Sequence, residues 1–232
     1  MKAVFLGDIH GNFYVLDNII RSDNPDLIIQ VGDFGIYPGY YDKVKTQNDT
    51  PVYFCRGNHE NHDILGLYPA NEITSLSFKI ESDINFPESK NIYFCSDGSI
   101  LELNNKKILF VGGANSIDKN LRVEGVSWWR QEVPSNLESC RILDIADRNR
   151  DINIIVSHTM PESLCEKIYP NPIDSDPTRK LLDRILEMIH PSLWVFGHFH
   201  SYLEMEHKDT MFIGLDMFVN ESDRIYKKII EI

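Results

Sequence analysis

Eight side chains that could do metal or acid–base chemistry fall at the ends of short apolar runs. They are Asp8 and His10 in Gly7-Asp8-Ile9-His10-Gly11, Asp33 after Gly32, and Asn58 and His59 in Gly57-Asn58-His59-Glu60. His158 follows Ser157, and His198 and His200 lie in Gly197-His198-Phe199-His200. Asp8 and Asp33 are 25 residues apart, as are Asp33 and Asn58. A structural turn has no need of an Asn followed at once by His and Glu. A metal site can use Asn58 as a neutral oxygen ligand and leave His59 free to move a proton. One His in such a place is more often structural. Five His, two Asp and an Asn converging on one sheet edge reverse that preference. Imidazole, carboxylate and amide oxygen suit Mn, Fe, Zn or Ni. The absence of Cys from the set disfavours a structural zinc site.

The elements that must position these residues read as strands and helices in alternation. Lys2 to Leu6, Leu27 to Val31 and Val52 to Cys55 are apolar strands, each closing on one of the motifs. From Asn12 the pattern turns helical, with Phe13, Leu16, Ile19 and Ile20 on one face. Residues 39–47 read as a weaker helix. Strand, helix, strand, helix, strand predicts a parallel βαβαβ unit, in which ligands gather at the carboxyl ends of the strands. Residues 71–90 carry no pattern. Asn91–Cys95, Ile100–Leu103 and Lys107–Val111 read as an antiparallel meander, and Pro134–Arg148 as a helix. Ile152–Val156 is a strand ending at His158. Asp176-Pro177 opens a helix with a cap and a Pro at its first position, and Pro191 stops it. Leu193–Phe196 is a strand ending at Gly197-His198. Tyr202–Glu206, Met211–Leu215 and Arg224–Ile230 suggest a second antiparallel group. Two facing mixed sheets with helices outside satisfy this order.

The length of 232 residues suits one domain over 1–232. No apolar run reaches the ~18 residues of a membrane helix. Met1–Leu6 runs straight into a motif that a cleavable leader would destroy, so no leader is expected. Cys55, Cys95, Cys140 and Cys165 form no CxxC pair and read as reduced thiols of a cytoplasmic protein. A net charge of −12 disfavours extended nucleic acid as a partner but leaves room for a small phosphorylated substrate held by a local positive centre.

Taken together, Asp8-x-His10, Gly32-Asp33, Gly57-Asn58-His59-Glu60, His158 and Gly197-His198-x-His200 resemble the calcineurin-like metallophosphoesterase superfamily. The resemblance runs from residue 7 to residue 200. It implies a four-layer α/β/β/α sandwich and a dinuclear metal centre. It implies that Asp8, His10 and His200 hold one ion, that Asn58, His158 and His198 hold the other, and that Asp33 bridges them. His59 would bind no metal and would act on the substrate. A bridging hydroxide would attack phosphorus in line, with Mn2+ the expected ion and Fe, Zn or Ni as alternatives. Charge agrees: two divalent ions outweigh Asp8, Asp33 and one hydroxide, leaving a positive centre for a phosphoryl group. The protein serine/threonine phosphatases of this superfamily carry an Asp three residues after the bridging one, followed by Arg. Here Ile36 and Tyr37 stand there, so Glu60 and Asp63 become the candidates to orient His59. The reading is a phosphomonoesterase. The alternatives are a phosphodiesterase on cyclic nucleotides or nucleic-acid ends, and a non-catalytic scaffold such as the retromer subunit resembles.

Asn58, Arg56, Asp118, Arg122 and Trp129 are the candidate substrate-binding residues. Arg56 precedes the Asn58 motif and could offer charge to substrate or sit as a strand-end Arg. The block Gly112 to Glu132 contains paired glycines and the pair Trp128-Trp129, which either lines a substrate pocket or plugs a gap under a covering loop. In it, Asp118, Arg122 and Trp129 are expected to face the metals. His62, His190 and His207 read as structural or surface residues.

Overall fold

The computed structural model describes residues 1–37, 49–65, 78–79, 91–169, 174–220 and 225–232. The expected helix over 39–47 and most of 71–90 lie outside them. One sheet contains β1 (Lys2–Leu6), β2 (Leu27–Gln30), β3 (Val52–Phe54), β4 (Phe78–Lys79), β5 (Ile92–Phe94) and β12 (Lys227–Glu231), in the order β12-β1-β2-β3-β5-β4. The other contains β6 (Ile100–Leu103), β7 (Lys106–Val111), β8 (Ile154–Ser157), β9 (Leu193–Phe196), β10 (Leu203–His207) and β11 (Thr210–Gly214), in the order β10-β11-β9-β8-β7-β6. The central strands of both sheets are parallel, and β12, β4, β10 and β6 are antiparallel edges.

Parallel strands are covered on both faces, which is why these segments are mostly apolar rather than alternating. In β1, Ala3 and Phe5 face the inter-sheet core with Val156 and Val195 of the second sheet. Val4 and Leu6 face the opposite way, onto Leu16 and Ile19 of α1 (Tyr14–Asp23). In β8, Ile155 packs outward onto α3 (Asn136–Arg148) and α5 (Pro177–Ile189) through Ile142, Leu182 and Ile185. The result is the expected sandwich of two sheets between layers of helices. Each fully buried aliphatic side chain contributes about 1.5–3 kcal/mol.

The Asp176-Pro177 start and the Pro191 stop of α5 act as read, whereas Asn12, an expected N-cap, does not cap α1, which begins after Phe13 with no side-chain cap. Ser135 and Glu138 form a capping box on α3. Asp176 accepts the Thr178 N–H ahead of Pro177 on α5, and His190 closes that helix at φ 49°. Two short helices, α2 (His62–Leu65) and α4 (Glu162–Ile168), complete the described α-helices, and 3-10 turns lie at Lys119–Leu121 and Arg130–Glu132.

Two strand groupings differ from expectation. Asn91–Cys95 does not join a meander: β5 lies parallel to β3 in the first sheet, and only β6 and β7 pair as a hairpin. The last three strands also divide. β10 and β11 form a hairpin beside β9, while β12 crosses to pair with β1. Short strands of one polarity pattern carry no mark of which sheet edge they will cover. Among the described residues no helix is long and apolar enough to cross a membrane.

Candidate metal centre

The motifs meet where the carboxyl ends of β1, β2, β3, β8 and β9 converge. Their turns are tight enough that ligands touch the backbone of neighbouring turns. A side-chain carbon on Gly57 would lie 2.0 Å from Oδ1 of Asp33, and one on Gly197 would lie 2.1 Å from Oδ1 of Asp8. Glycine before the ligand is therefore a packing requirement. His10, Asp33, His198 and His200 all adopt left-handed backbone, at φ 45°, 54°, 69° and 48°. Such strain costs about 1–3 kcal/mol per residue and collects at functional sites.

One donor group comprises Asp8, His10, Asp33 and His200, whose ligand atoms all lie within 4.8 Å of one another. Nε2 of His200 is 3.1 Å from Oδ2 of Asp8 and 3.4 Å from Nε2 of His10. A second group centres on Oδ1 of Asn58, which is 2.8 Å from Nε2 of His158 and 3.0 Å from Nδ1 of His198. Oδ2 of Asp33 faces both groups, 3.7 Å from Nε2 of His10 and 3.5 Å from Nε2 of His158.

These residues fit divalent cations. Ligands bound at about 2.0–2.2 Å stand roughly 3.0–3.5 Å apart around a shared ion, which matches the separations here. Two imidazole nitrogens facing each other at 3.4 Å are donors arranged for a cation. The rings are oriented from behind, as metal-binding His residues usually are: Nδ1 of His158 lies 3.0 Å from the Val31 carbonyl, and Nδ1 of His10 lies 3.1 Å from the Tyr37 hydroxyl. Tyr37, read only as a departure from the phosphatase pattern, thus supports a donor ring.

Protonation follows the geometry. Burial works to raise Asp33, but the neighbouring His158, His59 and His10 hold its carboxyl well below the ordinary range. Burial works to lower His158, yet the charge and hydrogen bond of Asp33, with Asp8, raise it to about 9. Burial, with the charge on His158, pushes His198 down to about 3. The hydrogen bond to Asp8 raises His200. At neutral pH the metal-free centre therefore carries a proton on His158 that a cation must displace. Titration of metal-free protein with Mn2+ at pH 7, in two buffers of different ionisation enthalpy, is expected to report release of about one proton or more. Affinity should fall as pH falls below about 9. Binding heats that do not depend on the buffer would contradict this. The sign for stability is the reverse: the raised His158 contributes to the metal-free fold below its ordinary value of 6.5, and that contribution is lost as pH rises through about 9.

Around the donors lies a cavity of about 640 Å³ lined by Asp33, Asn58, His59, Asp118, Arg122 and His198, among others. His59 donates its backbone N–H to Oδ1 of Asp33 at 2.8 Å. Its ring stands edge-on to that of His10, 5.3 Å between centroids. Burial lowers the His59 ring below its usual value, and the Arg122 charge adds to this against Asp33. Arg122 places its guanidinium nitrogens 2.9 Å from both ring nitrogens of His59 and is held by Asp118 at 2.7 Å. Trp129 is buried beside a second cavity, of about 310 Å³, which it lines with Tyr37, His59, Arg122 and Val126. Its indole N–H donates to Asp63 at 2.8 Å.

Three expectations need correction. Arg56 does not face the cavity: it is buried in an ion pair with Asp97 at 2.6 Å and donates to the Gln131 carbonyl. Glu60 does not orient His59. Its buried carboxylate accepts the N–H groups of Phe34, Gly35 and Ile36 at 2.7, 3.1 and 2.9 Å, fixing the loop after Asp33. Burial and the Asp33 charge raise it to about 7. Asp63 is taken by Trp129. The group against the His59 ring is Arg122, itself held by Asp118. No rule of spacing announces that contact, because it spans 63 residues of chain.

Residues 1–202 match the calcineurin-like phosphoesterase family, and the chain belongs to it. The family is one of phosphoesterases that use divalent metals, and the cluster of Asp8, His10, Asp33 and His200 could hold a metal ion. No curated protein sequence matches it. Among solved structures it is similar to GAP50, the anchor in the inner membrane complex of Plasmodium, at 12% identity, covering 98% of this chain and 77% of that one, with a TM-score of 0.51. It is also similar to the phosphopantetheinyl hydrolase of Mycobacterium tuberculosis, at 12% identity, covering 93% of this chain and 89% of that one, with a TM-score of 0.48. An archaeal phosphodiesterase shares 13% identity over 94% of this chain and 84% of its own, TM-score 0.43. At these identities the likeness concerns the fold.

Proposed function

We propose that residues 1–232 act as a two-metal hydrolase of small phosphate esters, with monoesters preferred. The observation that carries this reading is Oδ2 of Asp33, which faces two separate donor groups at once. In it, Asp8, His10 and His200 hold one cation, Asn58, His158 and His198 hold the other, and Asp33 serves both. Two divalent ions, Mn2+ first among the candidates, supply charge neutralisation at the phosphoryl group and make water acidic enough to ionise near neutral pH. Arg122 binds phosphoryl oxygens, with Asp118 holding it in place. His59, protonated when an anionic phosphoryl group beside it offsets the lowering by burial and Arg122, gives its proton to the leaving oxygen, a role typically worth about 10²–10⁴ in rate. The free thiols suit a reducing, cytoplasmic compartment, and the acidic surface suits a small substrate rather than extended nucleic acid.

The sandwich alone does not make a hydrolase, since a fold neighbour is described as an anchor. The intact donor set and His59 favour catalysis over a scaffold role. A second reading, a diesterase, is favoured by the 310 Å³ cavity on the far side of His59 and Arg122, which leaves room for a second ester substituent. The test is turnover of p-nitrophenyl phosphate against bis-p-nitrophenyl phosphate by protein reloaded with Mn2+. Monoester preference is expected. Preference for the diester selects the second reading, and no turnover of either selects the scaffold.

A further inference from the structure

The second donor group contains one side chain whose metal-facing atom is not fixed by its own chemistry. Asn58 can present either its oxygen or its NH2 to the cavity, and only the oxygen is a ligand. Its Nδ2 donates to the Ser116 hydroxyl at 2.9 Å. That hydroxyl donates in turn to Oε2 of Glu132 at 2.5 Å, and the Ser116 N–H donates to Oε1 at 2.9 Å. All three residues are buried, at 3%, 2% and 1% exposure. A hydroxyl has one hydrogen. With that hydrogen committed to the carboxylate, Ser116 can only accept from Asn58. Turning the amide over would set Oδ1 against an oxygen with no hydrogen to share, and would aim NH2 at the His158 and His198 nitrogens.

From this chain of bonds we infer that Ser116 and Glu132 are positioning residues for the second metal site, fixing the Asn58 amide with its oxygen toward the ion. The inference rests on the two-ion reading given above. Glu132 has a further effect. Once an ion has displaced the His158 proton, Asn58, His158 and His198 would all be neutral ligands, so apart from the shared Asp33 this site would have no negative charge of its own. A buried carboxylate one hydroxyl away supplies a negative charge in the direction of the Asn58 amide. Outer partners of this kind typically change metal affinity about 10–100-fold. The pair lies on the segment after β7 whose glycines and tryptophans stand out in the sequence, and gives that segment a role beyond covering the cavity.

The experiment is calorimetric titration of metal-free, full-length protein with Mn2+, for wild type, Glu132→Gln, Ser116→Ala and Ser116→Thr, with a thermal melt of each metal-free protein. Glu132→Gln and Ser116→Ala are expected to weaken one of two binding steps about 10–100-fold and leave the other within about twofold. Ser116→Thr keeps the hydroxyl and should restore the weakened step. Two unchanged steps in both variants overturn the inference. So does equal weakening of both steps with a lowered metal-free melting point, which marks a purely structural role. A wild-type protein that binds fewer than two ions overturns the two-ion reading itself and this inference with it.

Discussion

Asp33→Asn is expected to lose at least one of two bound ions and to cut phosphoester turnover roughly a thousandfold or more. The size follows from what the carboxylate does at each oxygen. Oδ1 accepts the His59 N–H, and Oδ2 stands between Nε2 of His10 and Nε2 of His158. An amide has one oxygen for these two duties. If that oxygen faces the ions, NH2 is forced against the His59 N–H, donor to donor in a buried site. If it accepts from His59, NH2 faces the ions. Either way one of the two formal charges in the ligand set, Asp8 and Asp33, is lost. Loss of a single preorganised electrostatic donor already costs about 10²–10³ in rate. Elemental analysis of the reloaded variant, with turnover of p-nitrophenyl phosphate, checks both parts. Two ions retained with near wild-type turnover would remove Asp33 from its bridging role.

That the donors could be read in the sequence at all has a physical cause. A parallel strand buried on both faces is mostly apolar, so Asp8, Asp33, Asn58, His158 and His198 interrupt the pattern just where each strand ends. The glycines beside them report the close packing of turns that the fold later shows. The supporting residues carry no such mark. Glu60 adjoins the Asn58–His59 motif, but its carboxylate reaches back to the loop after Asp33. Ser116 and Glu132 are ordinary residues until β7 brings their segment over Asn58. The placement of Arg56, like that of Asn91–Cys95, is decided at long range, because its partner Asp97 lies 41 residues along the chain. With β5 paired to β3, the turn after β5 brings Asp97 against Arg56, and a buried Arg so placed is held by its ion pair. Local patterns predict an element; which sheet edge it joins is decided by long-range packing.

His59→Ala is expected to divide substrates by leaving group. For alkyl phosphates, whose departing alkoxide needs a proton, kcat should fall about 10²–10⁴-fold. For p-nitrophenyl phosphate, whose phenolate departs without one, the fall should be much smaller. Metal content should stay near wild type, because the His59 ring is not among the atoms that close either donor group. The variant also removes the ring against which Arg122 rests, so part of the loss could come from a displaced guanidinium rather than a missing proton. Arg122→Ala separates the two. It removes charge that binds phosphoryl oxygens in every substrate, so its loss should be similar for alkyl and nitrophenyl esters and should fall largely on KM. A proton donor gives a steep dependence on leaving-group basicity, and a charge clamp gives a flat one. If His59→Ala is as flat as Arg122→Ala, His59 serves to hold Arg122, and the proton for the leaving oxygen comes from another source.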